Sequence, residues 1–95
     1  MNNKSYNGWT NYETWLVALH IDNDQTLYNQ ALNLHHKNSF DYSQNLELWF
    51  EELIEWADGF KNTLVADLIR SALMEVNWME IAKHYQETFQ EIISE

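Results

Sequence analysis

Proline is absent from this chain of 95 residues, and glycine occurs only at Gly8 and Gly59. Sandwiches and barrels of short strands depend on frequent glycine- and proline-containing turns, so this scarcity excludes most of them. Apolar residues instead recur at three- and four-residue spacings in segments rich in Leu, Glu, Gln and Ala, which is the pattern of amphipathic helices. A chain of this length has room for one modest core. The expectation is an all-α fold: a small single-domain bundle of four to five antiparallel helices over residues 10–95, preceded by a flexible arm at 1–9.

The helix starts carry capping signals. Thr10 and Glu13 form a T-x-x-E box, and Asn77 and Glu80 form N-x-x-E; in each the polar residues accept otherwise unpaired backbone N–H groups. The spacing predicts helices over about 10–22, 25–37, 44–58, 62–75 and 78–92, with Asp24 and Ser43 as further caps and Gly59 just past the third helix. His35, His36 and Lys37 fall in the last turn of the second, where cations suit the helix dipole. The first helix is apolar nearly all round, with Tyr12, Trp15, Leu16 and Leu19 on one side and Val17, Ala18 and Ile21 on the other, the mark of a helix buried between others or against a partner. The fourth packs through Leu64, Val65, Leu68, Ile69 and Ala72. The last has the cleanest stripe: Trp78, Ile81, Ala82, Tyr85, Phe89 and Ile92. Five Trp, five Tyr and four Phe make the core aromatic-rich, with Trp15, Trp49, Trp78 and Phe89 as fillers. Trp9, which precedes the first cap, and Trp56, at the edge of its apolar stripe, are candidate anchors for a partner.

The net charge is −10. Its distribution is uneven. Residues 1–42 hold two basic and four acidic side chains, and residues 43–95 hold three and eleven. Glu47, Glu51, Glu55 and Asp58 fall within roughly 80° of arc on the third helix. Glu80, Glu87 and Glu91 form a second row on the last. Acidic excess argues against direct nucleic-acid binding, because affinity for the phosphate backbone comes from Lys and Arg. Carboxylates about 6 Å apart along a helix can instead imitate a phosphate strand and occupy the basic cleft of a nucleic-acid-binding protein, steered there by charge. The bland reading is a solvated face that serves solubility alone.

Other chemistries find little support. The chain has no cysteine, which rules out a disulfide scaffold, a thiolate zinc site and a cysteine nucleophile. It contains no nucleophile elbow, no phosphate-binding glycine loop and no H-E-x-x-H. Glu80, His84 and Glu87 share a helical face but lack the paired inward motifs of di-iron bundles, and His20 with Asp24 is an equally thin metal signal. No catalytic residue, metal site or cofactor is expected. No apolar run approaches the ~20 residues that span a bilayer, and the first residues lack a signal-peptide core, so the expected setting is cytoplasmic, without membrane contact.

The run Tyr6-Asn7-Gly8-Trp9-Thr10-Asn11-Tyr12-Glu13-Thr14-Trp15, followed by Val17-Ala18-Leu19 and Asp22-Asn23-Asp24, resembles the opening of a family of short phage, plasmid and bacterial proteins that carry NYETW. The resemblance continues through Ala66-Asp67-Leu68-Ile69, Ala72-Leu73 and Val76-Asn77-Trp78-Met79-Glu80-Ile81-Ala82. It brings no activity, cofactor or functional residue with it. What it implies is a mobile-element setting, in which small acidic proteins often inhibit nucleic-acid enzymes of the host.

Three readings follow. The first is an acidic interaction protein, a nucleic-acid mimic whose two rows block a basic surface of a host DNA- or RNA-binding protein. The second is a small adaptor or homodimer that binds through exposed Trp residues, its acidity serving solubility. The third is an enzyme or metal protein. The first predicts that the two rows are exposed and contiguous, the second an exposed apolar patch, and the third a cavity with converging polar groups.

Overall fold

The computed structural model describes residues 6–58 and 63–94, with side chains at all of these except 55–58, 63, 65 and 66. Gly59 and the side chain of Trp56 therefore lie outside the described residues. Five helices account for most of the rest: α1 (Tyr12–Asn23), α2 (Gln25–Asn33), α3 (Ser39–Asp58), α4 (Thr63–Met74) and α5 (Trp78–Ile93). No strand is formed among the described residues beyond one bridge between Tyr6 and Trp9.

Local hydrogen bonding sets the helix limits and corrects several of the expected ones. The α1 cap is Asn11, not Thr10: Asn11 Oδ1 accepts the Thr14 N–H at 2.9 Å. Two capping-competent residues stand side by side here, and Thr10 is left one position outside the helix with its own N–H on Glu80 Oε1. Asp24 caps α2 as expected. That helix stops at Asn33 because side chains of α3 take the carbonyls at its end, Tyr42 Oη donating to Ala31 O and Asn45 Nδ2 to Leu34 O. His35, His36 and Lys37 consequently lie beyond the helix rather than in its last turn. The α3 helix begins at Ser39, where Asn38 Oδ1 accepts the Asp41 N–H. Ser43, expected as the cap, is buried inside that helix and donates to Phe40 O. Asn77 caps α5 as its motif predicts, accepting the Glu80 N–H.

The core is Ile21, Ala31, Tyr42, Leu46, Val76, Trp78, Ile81, Ala82 and Tyr85. Burying each of the larger of these side chains contributes about 1.5–3 kcal/mol. The early part of α3 meets the later part of α5 through Ser39 and Gln86, and Phe50 meets Trp78 at the start of α5, so these two helices are antiparallel. The α1 and α5 helices run parallel, contrary to the expected all-antiparallel bundle. Their starts meet at Thr14 and Asn77, and Tyr85, further along α5, reaches Asp22 near the end of α1.

Two sets of side chains expected in the core face outward. On α1 the buried face is Thr14, Ala18 and Ile21, while Tyr12 is exposed and Trp15, Leu16 and Leu19 are half-buried outside the core. A helix apolar all round gives no signal for which face turns inward, and the neighbouring α5 selected the narrower one. On α4, Leu73 packs against the core, but Leu64 and Leu68 are 66% and 62% exposed and Ala72 is exposed as well. Phe89 leaves the core too, lying half-buried with its ring stacked on His35 at 4.0 Å.

Candidate functional site

Several polar residues of the NYETW and VNWMEIA runs converge where α1 and α5 start. The buried Thr14 hydroxyl donates to Asn11 Oδ1 at 2.6 Å and accepts the Asn77 N–H at 2.8 Å. Asn11 Nδ2 donates to Glu75 O, and the Thr10 N–H donates to Glu80 Oε1 at 3.1 Å. Parallel helices bring two positive dipole ends together, which is unfavourable unless acceptor oxygens sit between them. Asn11, Thr14, Asn77 and Glu80 supply those oxygens. This clasp explains Asn11 and Thr14 of NYETW, and Asn77 and Glu80 of the C-terminal motif, as structural residues.

Opposite ends of the helices are tied by tyrosines. Tyr85 Oη donates to Asp22 Oδ1 at 2.5 Å and lies 3.5 Å from Ala18 O. Burial, with the Asp22 hydrogen bond second, pushes its phenol far above the usual range. Burial alone does the same for Tyr42. Gln86 holds the 36–39 loop, donating to the His36 and Lys37 carbonyls and accepting from Ser39 Oγ. None of these partnerships has a local sequence signal, because each joins residues distant in the chain. The Asn7-Gly8 pair did offer one. Both have positive φ, +48° and +90°, and they form the tight turn that pairs Tyr6 with Trp9, the Asn-Gly hairpin geometry. Residues 6–9, placed in the flexible arm by the sequence reading, thus form a turn against the domain. Tyr6 lies on the rings of Tyr12 and Trp15, and Trp9 meets His84 edge-on at 5.2 Å. Trp9, a candidate anchor, is half-buried and packs against the core.

Two residues of each acidic row line a groove. Glu47 and Glu51 line one with Arg70, Leu73 and Met74, and Glu80 and Glu87 line another with Gly8, Trp9, Lys83 and His84; the two share no residue. Glu51, Glu87 and Glu91 are exposed, Glu47 and Glu80 are half-buried, and Glu80 belongs to the clasp. The side chains of Glu55 and Asp58 lie outside the described residues. His36 Nε2 lies 3.8 Å from Asp41 Oδ2; among the described residues Glu47, Glu51, Glu87 and Glu91 make no ion pair within 4 Å, although Arg70 lines the groove of Glu47 and Glu51 and Lys83 that of Glu87. No group of three His, Asp or Glu side chains among the described residues could hold a metal ion. No helix is long and apolar enough to cross a membrane among the residues described.

The outward faces of α1 and α4 form an apolar surface. Leu16 and Val17 line a shallow groove of ≈160 Å³ with Ile69, Ala72, Leu73 and the core residue Val76, and Glu13 is the one charged lining residue among those described. Ala72 lines the groove, and the exposed Leu68 and Leu64, one and two turns before it, step about 40° further round α4 each time, away from the groove. The apolar girth of α1 left a partner-facing side open, but Leu64, Leu68 and Ala72 of α4 were expected in the core.

The fold and its surfaces define a small all-α domain in which Asn11, Thr14, Asn77 and Glu80 hold two helix starts together. A family model described as "Family of unknown function (DUF7249)" matches residues 2–95, and the chain belongs to that family. No curated protein and no solved structure matches it.

Proposed function

We propose that this chain is an acidic protein-binding module that meets its partner through the outward apolar face of α1 and α4. The observation that carries this reading is the apolar groove that Leu16 and Val17 of α1 form with Ile69, Ala72 and Leu73 of α4, with Leu68 exposed one turn before Ala72. Contiguous apolar surface of this kind is characteristic of contact sites. The surrounding carboxylates then hasten encounter with a basic partner and suppress wrong ones. Catalysis has no part in this reading.

A second reading, nucleic-acid mimicry by the acidic rows, is favoured by the carboxylates of Glu51, Glu87 and Glu91, exposed and without ion-pair partners among the described residues. In the mobile-element setting implied by the resemblance, its target is a basic DNA- or RNA-binding protein of the host. One observation weighs against it: Glu80 is engaged by Thr10.

Partner capture from lysate of the source cell, at low and high salt, separates the two. Wild type is compared with Leu16→Glu/Leu68→Glu and with Glu51→Lys/Glu87→Lys/Glu91→Lys. The apolar-face reading expects capture that survives high salt and is lost in the first variant. Mimicry expects capture that fails at high salt and is lost in the second.

A further inference from the structure

We infer that Asn7 is a modification site: it deamidates through the backbone nitrogen of Gly8, and the isoaspartate that results frees Tyr6 from the rings of Tyr12 and Trp15. Among the asparagines, Asn7 alone precedes a glycine. The chemistry needs an accessible backbone nitrogen next in the chain, and Gly8 supplies it. Nothing beyond its chain neighbours lies within 4 Å of where a Cβ would stand, and both residues are exposed. Among the described residues neither the Gly8 N–H nor the Asn7 side chain has a hydrogen-bond partner. The side-chain oxygens of Asn11, Asn38 and Asn77, by contrast, are occupied as caps.

The reaction balances with water as its one co-reactant. The Gly8 nitrogen bonds to Asn7 Cγ, the Cγ–Nδ2 bond breaks, and ammonia leaves with the Gly8 amide proton. Water then opens the five-membered imide at one carbonyl or the other, giving aspartate or isoaspartate at position 7. The turn gates the ring closure. Asn7 has φ +48°, in the left-handed region, where Cβ lies nearly opposite the following nitrogen about the Cα–C bond; closure needs the two eclipsed. The paired Tyr6–Trp9 hydrogen bonds of 3.0 and 2.8 Å, and the Tyr6 ring on Tyr12 and Trp15, hold the reaction back until the turn opens. A short exposed hairpin opens readily. Isoaspartate inserts an extra carbon into the backbone between Tyr6 and Gly8, so the Tyr6–Trp9 register is lost while Trp9 stays packed against the core. Either product adds a carboxylate beside the cleft that Gly8 and Trp9 share with Glu80, Lys83, His84 and Glu87.

The test incubates the full chain in warm, mildly alkaline buffer and follows residue 7 by peptide mass mapping, with fragmentation that separates aspartate from isoaspartate. Mass is the readout because Asp58-Gly59 forms the same imide with no change of mass. Wild type is compared with Tyr6→Ala, with Gly8→Ala and with wild type in urea. The expected result is conversion at residue 7 ahead of every other asparagine, fastest in urea. Tyr6→Ala reacts about threefold or more faster than wild type, the scale of the aromatic contacts removed. Gly8→Ala falls below wild type, although alanine at φ +90° strains the turn open. Conversion in urea but in neither folded wild type nor Tyr6→Ala overturns the site. Equal rates in wild type and Tyr6→Ala overturn the gate, and a Gly8→Ala rate equal to wild type overturns the role of the open nitrogen. In the isolated isoaspartate product the nuclear Overhauser contacts of Tyr6 with Tyr12 and Trp15 are lost; their survival overturns the release.

Discussion

The buried hydroxyl of Thr14 accepts the backbone N–H of Asn77 at 2.8 Å while donating to Asn11 Oδ1. Both oxygen lone-pair use and proton donation are thereby filled by groups at two different helix starts. Replacing Thr14 with Val keeps the shape but leaves the Asn77 N–H without its acceptor, at a cost of about 1–3 kcal/mol. Thr14→Ser keeps the hydroxyl and loses about 1 kcal/mol for the missing methyl group. Urea denaturation of the two variants measures the difference, and the expected order of stability is wild type, Ser, then Val.

Neighbouring caps give a second prediction. Asn11→Ala removes the acceptor for Thr14 N–H and the donor to Glu75 O, and lowers stability by about 1–2 kcal/mol. Thr10→Ala costs less, about 0.5–1 kcal/mol, because the contact to Glu80 is made by the Thr10 backbone N–H and the hydroxyl accepts a long bond, 3.5 Å, from Asn77 Nδ2. A larger loss for Thr10→Ala than for Asn11→Ala in thermal melts would move the cap back to the position a T-x-x-E box implies.

Alkaline pH probes the buried tyrosines. Burial raises the phenols of Tyr42 and Tyr85 above their unfolded value near 10. The neutral form is therefore favoured in the folded state, and its stabilising contribution is complete below about pH 10. Above that the unfolded chain releases protons that the folded one retains, so stability falls with rising pH, by about 1.4 kcal/mol per pH unit for each tyrosine. Urea midpoints at successive pH values should show the decline. Tyr42→Phe and Tyr85→Phe each make it shallower while costing stability at neutral pH, since each ends a hydrogen bond to Ala31 O or Asp22.

Side-chain truncation distinguishes outward from inward leucines. Leu64→Ser and Leu68→Ser change the folding free energy by about 0.5 kcal/mol or less, as expected of residues 66% and 62% exposed. Leu46→Ala, at a fully buried position, costs about 2–5 kcal/mol. Comparable losses at all three sites, measured by chemical denaturation, would return α4 to the core.

These contrasts mark where the fold was legible. The first half of the α5 stripe was, because Trp78, Ile81, Ala82 and Tyr85 recur at helical spacing against a strongly polar opposite face and are buried, whereas Phe89 and Ile92, expected to continue it, are half-buried and 47% exposed. The α1 orientation was not: with apolar groups on both sides, only the hydrogen bonds of Thr14 and the packing of Ile21 against α5 decide which face turns inward. Caps were legible where one candidate stood alone, as at Asp24 and Asn77, and misplaced where two competed, as at Thr10 and Asn11 or Asn38 and Ser43. The acidic rows were legible as charge, but Glu80 satisfies both a capping pattern and a row, and only its contact with Thr10 separates the roles. The apolar groove was invisible because it depends on how α4 is set against α1, which no local pattern encodes.

Site-specific photo-crosslinking in source-cell lysate tests the central claim most directly, that the outward face of α1 and α4 is the contact surface. A photoreactive side chain is placed at position 16, 68, 51 or 91 in otherwise native protein. The same partner crosslinked from positions 16 and 68, with none from 51 or 91, is the predicted result; crosslinks from 51 and 91 with none from 16 or 68 would contradict it and put the partner on the acidic rows.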